Sequence, residues 1–261
     1  MCQFVPLPSQ VPLWETDAPY VLWGGQAGPG KTTGGRRWLY HRALTTEGYT
    51  GLLLRENWEQ LEKTHLREME REVPALGGKF YKSDRKVEFG TSVIDCGHMA
   101  EAEAVYRYLS TEYTDIVGDE ASQYPLMGDG VTVLAELSTR ARRWGVHRKT
   151  GTRVKPRQVW LTNPGGPSSD YLCRMCIDHE PDYETYPALA GVYRPEEWVY
   201  LEAKLDDNPY ADESYRARLA VLSGVRYEQQ AHGDWHIRTG QFFSEFKKSL
   251  HVRALLETAA S

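Results

Sequence analysis

Apolar and polar positions alternate along the chain in blocks that predict strands followed by helices. An apolar run at 20–25 breaks into glycines and gives way to a helical pattern from Lys31 onward. A second apolar run at 50–56 precedes 57–73, where apolar residues recur at helical spacing behind Asn57, a residue type that caps helices. The chain therefore opens with a strand, a glycine loop and a helix, followed by a second strand and helix.

The same alternation continues through the middle of the chain. The further predicted elements are a hairpin of short strands over 80–97, a helix over 100–110, a strand over 114–120, a helix over 131–144 and a strand over 157–162. Strands that alternate with helices predict an α/β fold with a mostly parallel central sheet flanked by helices. Two helical stretches, 194–205 and 208–224, then predict a small helical lid subdomain. We therefore expect a core over 1–193, a lid over 194–236 and a linker over 237–261.

Composition and charge exclude several classes of protein. Of 261 residues, 41% are hydrophobic and 26% are charged, which is ordinary globular usage and argues against disorder or a fibrous repeat. The sequence has no run of 18 apolar residues and no signal-peptide layout at its start, which predicts a cytosolic protein without a membrane span. The formal net charge of −5 argues against a protein that coats nucleic acid through global positive charge.

Local charge departs from this average in one stretch. Lys and Arg residues recur from Arg140 to Arg157 without any Asp or Glu among them. Such a stretch is either a solvated face or a contact surface for a polyanion, and the sequence leaves both interpretations open.

The four cysteines are too few and too unevenly spread for a disulfide framework, so we expect reduced thiols. Cys173, Cys176 and His179 are spaced as metal ligands often are, but a structural zinc site needs four ligands and no second pair exists. The favoured interpretation is that the two cysteines are small residues on the buried side of a helix.

The glycines after the first strand belong to a phosphate-binding motif. Gly25, Gly30, Lys31 and Thr32 fit G-x-x-x-x-G-K-[ST] between a strand and a helix, which is the context that this motif requires. Glycines let backbone N–H groups turn toward a phosphate, while Lys31 reaches the outer phosphates and the Thr32 hydroxyl can ligate Mg²⁺. The residues predicted to hold the phosphates of ATP are Gly25, Gln26, Ala27, Gly28, Pro29, Gly30, Lys31, Thr32 and Thr33.

Two acids end the strand predicted over 114–120. Asp119 lies where ligands bind in open α/β sheets and can hold Mg²⁺, whereas Glu120 can orient and deprotonate an attacking water. This arrangement predicts hydrolysis of ATP, because a small-molecule kinase has less use for the glutamate. A strand-end salt-bridge pair is the alternative interpretation.

Four further residues stand where a nucleotide hydrolase would use them. The side-chain amide of Gln10 can pair with the edge of adenine. Thr162 and Asn163 end a strand where short polar groups can sense hydrolysis, although an ordinary Asn-Pro turn is equally compatible with them. Arg140 begins the basic stretch, and an arginine there can stabilise the transition state in a neighbouring subunit.

The order of these motifs resembles the large terminase subunit of tailed bacteriophages, the motor that pumps viral double-stranded DNA into a procapsid. The stretches that carry the resemblance are PLPSQ, GGQAGPGKT, LLLREN, TDIVGDE, LTNPGG and GDW followed by GQFFSEF, and they span nearly the whole chain. The resemblance implies a Mg²⁺-dependent P-loop ATP hydrolase. The roles that it implies are adenine reading by Gln10, phosphate and Mg²⁺ binding by Lys31 and Thr32, Mg²⁺ binding by Asp119, general base catalysis by Glu120, coupling by Thr162 and Asn163, and action in trans by Arg140, with Arg142 and Arg143 as alternatives.

The resemblance also implies partners and a setting. The expected partners are viral DNA, a portal protein and a small terminase subunit, with a pentameric ring assembled at the portal vertex in the host cytoplasm. Members of the family resemble one another in a C-terminal nuclease domain, which would begin near GQFFSEF, so the sequence predicts an ATPase module without DNA cleavage. Arg55 and the basic stretch over 142–157 are the predicted DNA contacts, made to phosphates rather than bases.

Two other functions remain open from the sequence. A helicase or recombination ATPase uses the same loop and acidic strand but would need a second core with further nucleic-acid motifs, for which the chain is too short. The other is nucleotide binding without hydrolysis, as a structural switch, and the presence of Glu120 favours hydrolysis over it.

Overall fold

The computed structural model describes residues 5–237 and has the predicted α/β architecture. The strands are β1 Tyr20–Gly25, β2 Thr46–Glu47, β3 Thr50–Arg55, β4 Lys79–Tyr81, β5 Lys86–Phe89, β6 Ser92–His98, β7 Asp115–Asp119, β8 Gly145–His147, β9 Arg153–Val154, β10 Arg157–Thr162 and β11 Trp198–Ala203. The α-helices are α1 Val11–Glu15, α2 Lys31–Thr45, α3 Trp58–Leu61, α4 Arg67–Ala75, α5 Val133–Ser138, α6 Ser169–Cys173, α7 Glu213–Leu219 and α8 Gly224–Tyr227. Short π-helical segments are Glu62–Leu66, Arg174–Asp178 and Glu228–His232, and 3₁₀ turns are Ala102–Arg107, Ala121–Gln123, Pro187–Gly191, Pro195–Glu197 and Leu205–Asp207.

The central sheet has eight strands in the order β11-β1-β10-β7-β3-β6-β5-β4. The six strands from β11 to β6 are parallel, and the β4–β5–β6 meander adds two antiparallel strands at one edge. A separate small sheet is formed by β2, β8 and β9. Because parallel strands end at the same edge, the carboxyl ends of β1, β10, β7 and β3 lie side by side, and loops from four strands meet there.

Apolar side chains on both faces of the sheet form the core. Along β1, Val21 and Trp23 belong to one buried cluster with helix α2, whereas Leu22 belongs to the cluster on the opposite face. This alternation is what the period of two along a strand produces. The predicted cap of the second helix is confirmed, since the Asn57 side-chain oxygen accepts a hydrogen bond from the Gln60 amide at 3.0 Å.

The helix predicted over 194–205 is wrong. Residues 198–203 instead form β11, which pairs in parallel with β1 at the edge of the central sheet. Trp198, Val199 and Tyr200 are aromatic or β-branched, residue types that suit strands, and the polar residues around them imitated helical spacing. The segment therefore belongs to the central sheet. The name lid is kept for 204–236, the remaining residues of the predicted subdomain.

Two other predicted helices are shorter than the sequence indicated. The helix predicted over 131–144 ends at Ser138, because the chain turns so that the Arg140 carbonyl accepts a hydrogen bond from the Tyr113 amide at 2.8 Å. In the lid, α7 ends at Leu219, and Gly224 begins α8 rather than ending a helix. The positive φ of 56° at Gly224 suits glycine at this turn.

The linker predicted over 237–261 lies, apart from its first residue, outside the described residues, as does GQFFSEF. Within 5–237, no helix combines the length and the apolar character that crossing a bilayer requires.

Candidate nucleotide site

The glycine loop joins the end of β1 to the start of α2 and turns through three glycines with positive φ. Gly25, Gly28 and Gly30 have φ of 124°, 93° and 89°, which side chains with a Cβ rarely adopt. A Cβ at Gly25 would lie 2.8 Å from the Ala203 carbonyl oxygen. The loop therefore has the backbone that the sequence motif predicts, with the N-terminus of a 15-residue helix behind it.

Lys31 is buried beneath this loop, with its ammonium held by two oxygens. Nζ donates hydrogen bonds to the Gln26 carbonyl at 2.7 Å and to Asn163 Oδ1 at 2.6 Å. Burial lowers the pKa of Lys31 to about 8, although the nearby carboxylates of Glu120 and Asp119 act in the opposite direction. The two carboxylates therefore only partly offset the cost of burying the Lys31 charge, and a bound anion would stabilise that charge further.

The two predicted magnesium ligands contact each other directly. The Thr32 hydroxyl donates a hydrogen bond to Asp119 Oδ1 at 3.1 Å, although the residues lie on α2 and on β7. A hydroxyl and a carboxylate are oxygen ligands of the kind that Mg²⁺ prefers, and the Asp119 carboxylate is almost fully buried. The residues present at this position thus fit Mg²⁺, with Thr32 and Asp119 as its protein ligands.

Asp119 has two further partners that the sequence did not predict. His65 Nε2 lies 2.9 Å from Asp119 Oδ2, and the Arg55 guanidinium forms an ion pair with the same oxygen. Burial acts to raise the pKa of Asp119, but the His65 hydrogen bond and the Arg55 charge outweigh it and hold that pKa at about 2. Asp119 is therefore ionised throughout the neutral pH range.

Arg55 lies inside the site rather than on a DNA-binding surface. Its side chain is 11% exposed, and it reaches Glu120 Oε1 at 3.9 Å as well as Asp119. The prediction of Arg55 as a DNA contact is therefore wrong. The signal available in the sequence was its place at the end of β3, which pairs with β7 and so ends beside the two acids.

Glu120 follows β7 in a left-handed conformation, with φ of 56°. Such a backbone is costly for a residue with a Cβ and is found mainly where function or packing demands it. Burial, and then the charge of Asp119, raise the pKa of Glu120, so the two neighbouring acids have pKa values shifted in opposite directions. A carboxylate with a raised pKa is the better proton acceptor near neutral pH.

Gln10 lies against the phosphate loop and is 2% exposed. Its side chain donates to the Gly30 carbonyl at 3.2 Å and accepts from the Leu7 amide at 2.9 Å. The residue thus holds the segment before α1 onto the loop. Adenine reading by Gln10 stays a prediction, and it would require exchange of these two hydrogen bonds.

Thr162 and Asn163 connect the site to its surroundings. The Thr162 hydroxyl lies 2.7 Å from the hydroxyl of Ser122, two residues after Glu120. Asn163 accepts from Lys31 and donates through Nδ2 to Gln230 Oε1 at 2.8 Å. The Asn163 side chain therefore bridges Lys31, the predicted phosphate ligand, and the lid.

The lid rests directly on the phosphate loop. The Leu205 amide donates to Gln26 Oε1 at 2.7 Å, and Asn208 Nδ2 donates to the Gly28 carbonyl at 2.7 Å. A Cβ at Gly28 would lie 2.6 Å from the Tyr215 ring. The loop is therefore in contact with the lid on the side opposite the core.

Arg140 lies far along the chain from these residues and at the other end of β7. Its guanidinium donates to the Leu109 carbonyl at 2.9 Å, and its carbonyl pairs with Tyr113, two residues before β7 begins. Arg142 forms an ion pair with Glu112 at 2.8 Å. The structure does not bring Arg140 to the phosphate loop of its own chain.

The rest of the basic stretch divides into exposed and buried residues. Arg157 is 5% exposed, and its guanidinium lies 4.9 Å from the centroid of the Trp38 ring, so its inclusion among the DNA contacts is wrong. The exposed basic residues are Arg142, Arg143, Arg148, Lys149, Arg153 and Lys155. They lie on and around β8 and β9, in the small sheet.

No protein-family model matches the chain, and no curated protein matches it by sequence. Several solved structures share its fold. The large terminase of a thermophilic bacteriophage matches 94% of this chain with a TM-score of 0.63 at 15% identity, and it has also been solved with ADP and with ATP-gamma-S. The chain spans 57% of the length of that protein.

Two other large terminases have the same fold. The ATPase domain of the large terminase of Thermus phage P74-26 matches 88% of this chain over 95% of its own length, with a TM-score of 0.59 at 13% identity. The large terminase of bacteriophage HK97 matches 78% of this chain and 43% of its own length, with a TM-score of 0.51 at 13% identity. The chain therefore has the fold of terminase ATPase domains.

Proposed function

We propose that this chain is the ATPase domain of a phage large terminase, which hydrolyses ATP to drive viral double-stranded DNA into a procapsid. The contact at 3.1 Å between Thr32 Oγ1 and Asp119 Oδ1 carries the proposal, because it joins the two predicted Mg²⁺ ligands beside Lys31. The shared fold with terminases solved in complex with ADP and ATP-gamma-S supports it. A portal protein and a small terminase subunit are the proposed partners.

Each residue at the site has a distinct role in this proposal. The amides of the glycine loop and Lys31 bind the phosphates. Thr32 and Asp119 would hold Mg²⁺, which would supply positive charge beside the phosphate oxygens. Glu120 takes the proton of a water that attacks the terminal phosphorus, while ADP leaves with the electrons of the broken P–O bond. The raised pKa of Glu120 suits it to this role.

The proposal is tested by steady-state ATP turnover of the full chain at increasing protein concentration, with and without double-stranded DNA. We expect turnover that requires Mg²⁺ and whose rate per chain rises with concentration, because a ring places one subunit's arginine at its neighbour's site. An absence of nucleotide binding by the folded chain would contradict the proposal.

ATP affinity is expected to fall as pH rises above about 8. Lys31 loses its proton near that pH in the free protein, whereas bound phosphate favours the charged form, so binding takes up a proton. The expected loss is about tenfold per pH unit above the pKa. Calorimetric titration between about pH 7 and 9, in two buffers of different ionisation enthalpy, measures both the affinity and the proton uptake.

The matched control for this prediction is Lys31→Arg, whose guanidinium keeps its charge over the whole range and should abolish the pH dependence. A wild-type affinity that stays constant across the range would show that Lys31 remains charged without nucleotide.

Asn163 is proposed to couple nucleotide to the lid, through its hydrogen bonds to Lys31 and Gln230. In Asn163→Leu both bonds are lost, which costs about 1 kcal/mol for the neutral bond to Gln230 and about 1.5–3 kcal/mol for the bond to the charged Lys31 ammonium. We expect ATP to slow amide hydrogen exchange of the lid in the wild type, and this slowing to be largely absent in the variant. Mass spectrometry of the 204–232 peptides measures it.

The control is Asn208→Ala, which removes a bond between the lid and the loop that does not involve Lys31. It should keep the nucleotide-dependent slowing. Equal loss in both variants would mean that lid contact in general, rather than Asn163, carries the signal.

A further inference from the structure

A cluster of metal-ligating side chains lies away from the nucleotide site. Cys173, Asp178 and His236 offer a thiol, a carboxylate and an imidazole nitrogen that all lie within 4.8 Å of one another. We propose that these three residues form a site for one divalent transition-metal ion, for which Zn²⁺ is the best chemical match, and that the ion fastens the end of the lid to the core.

The distances between the three ligand atoms are close to those of a tetrahedral site. Cys173 Sγ lies 3.5 Å from Asp178 Oδ2 and 3.8 Å from His236 Nε2. Neighbouring ligands of a tetrahedral Zn²⁺ ion are separated by about 3.4–3.6 Å, given the usual metal–ligand bond lengths. His236 Nε2 and Asp178 Oδ1 are closer, at 2.8 Å, because a hydrogen bond joins them. An ion that replaces the proton in that bond separates the two atoms by a few tenths of an ångström.

The chemistry of the three ligands selects the kind of ion. A thiolate and an imidazole favour Zn²⁺ over Mg²⁺ or Ca²⁺, which bind oxygen ligands. Binding releases the thiol proton of Cys173 and uses the neutral imidazole of His236, so thiolate and carboxylate together balance the two positive charges. The Cys173 thiol is on the buried side, whereas the side chains of His236 and Asp178 are 62% and 30% exposed. The ion enters from this exposed side, where water supplies the fourth ligand. The site therefore has the three protein ligands and open position of a water-bearing Zn²⁺ centre, rather than the four protein ligands of a closed structural one.

Of the three residues that the sequence suggested as metal ligands, Cys173, Cys176 and His179, only Cys173 belongs to this site. Burial raises the pKa of the Cys176 thiol, although its hydrogen bond with the Leu22 backbone acts in the opposite direction. His179 Nδ1 lies 3.0 Å from the Tyr193 hydroxyl. The predicted burial of both cysteines is confirmed. The ligand set differs from the predicted one because residues Arg174–Asp178 form a π-helical turn. A π-helix brings residues five apart together, so Asp178, rather than His179, lies beside Cys173.

Fastening His236 also fixes the residue before it. Trp235 is 6% exposed, its Nε1 lies 3.3 Å from the Tyr200 hydroxyl, and its ring occupies the space beside Gly24, where a Cβ would approach within 2.6 Å. Gly24 directly precedes the phosphate loop. An ion at Cys173, Asp178 and His236 therefore stabilises the packing of the lid's end against β1.

The test is Zn²⁺ binding to the full chain after treatment with a chelator, measured by calorimetry in excess Mg²⁺ so that the Asp119 site is occupied. We expect one Zn²⁺ per chain and a rise in Tm on adding Zn²⁺. Co²⁺ in place of Zn²⁺ should give the near-ultraviolet absorption of a thiolate–cobalt bond.

The informative variants are His236→Gln and Cys173→Ser, each expected to weaken Zn²⁺ binding by more than about 100-fold and to remove the Co²⁺–thiolate absorption. His236 is mostly exposed, so His236→Gln should keep the wild-type Tm without metal. The matched control is His179→Gln, one residue after Asp178, and it should bind Zn²⁺ as the wild type does.

Three results would overturn the proposal: no stoichiometric Zn²⁺ binding by the wild type, unchanged binding in a folded His236→Gln variant, or loss of binding in His179→Gln. None of these measurements uses ATP, so they are independent of the proposed ATPase function.

Discussion

Replacing Glu120 with glutamine is expected to leave ATP affinity near that of the wild type while lowering turnover by about 10²–10⁴-fold, the range that general base catalysis contributes. Glutamine has the same shape but cannot accept the proton of the attacking water. The hydrogen bonds of Lys31 and Thr32 at the predicted phosphate and Mg²⁺ positions do not involve Glu120. Binding and chemistry should therefore separate in this variant.

The measurement pairs calorimetric ATP binding with steady-state phosphate release. Glu56→Gln is the matched control, because the Glu56 side chain accepts a hydrogen bond from Gln60 and its charge is the smallest of those that shift the pKa of Glu120. It should retain most of the turnover. Undiminished hydrolysis by Glu120→Gln would remove Glu120 from the mechanism, and loss of ATP binding would show instead that its charge holds the site together.

Loss of the arginine that acts in trans is expected to lower concentration-dependent turnover by about 10³-fold or more, with ATP affinity unchanged. Such an arginine must reach a neighbouring subunit. Within its own chain, Arg140 donates a hydrogen bond to the Leu109 carbonyl, and Arg142 forms an ion pair with Glu112. Arg143 is exposed and has no ion-pair partner among residues 5–237. Arg140, the first choice from the sequence, would have to exchange its bond to Leu109 for a phosphate.

A second exposed arginine lies at the nucleotide edge of the sheet. Arg107 Nη1 is 3.4 Å from Nε2 of His98, the last residue of β6, so Arg107 is near the strand ends where Asp119 also lies. We expect the large loss in Arg143→Ala or in Arg107→Ala. Arg140→Ala should instead lower Tm, because it releases the Leu109 loop.

Turnover against protein concentration, with Tm for each variant, distinguishes these outcomes. A loss of about 10³-fold in Arg140→Ala at unchanged Tm, estimated as for other trans-acting arginines, would restore the interpretation drawn from the sequence. Wild-type turnover in all three single variants would contradict the trans-acting arginine itself.

The sequence alone determined the features that depend on neighbours along the chain. Glycines at 25, 28 and 30 permit the positive-φ backbone that leads into the helix at Lys31 and Thr32, and the loop has the predicted geometry. The strand that ends in two acids could be predicted because a short apolar run precedes Asp119 and Glu120. A parallel sheet then requires these ends to meet at one edge.

Tertiary structure decided what depends on pairing between distant segments. β11 is a strand because β1 offers it an unpaired edge, whereas along the chain the polar residues around Trp198, Val199 and Tyr200 imitated helical spacing. His65 contacts Asp119 from 54 residues away, and Cys173 meets His236 from 63 residues away, so spacing along the chain carried no signal for either pair. Local chemistry thus determined which groups are predicted to bind nucleotide. Packing of the sheet edge, the lid and the π-helical turn determined what surrounds them, because those contacts exist only after the chain has folded.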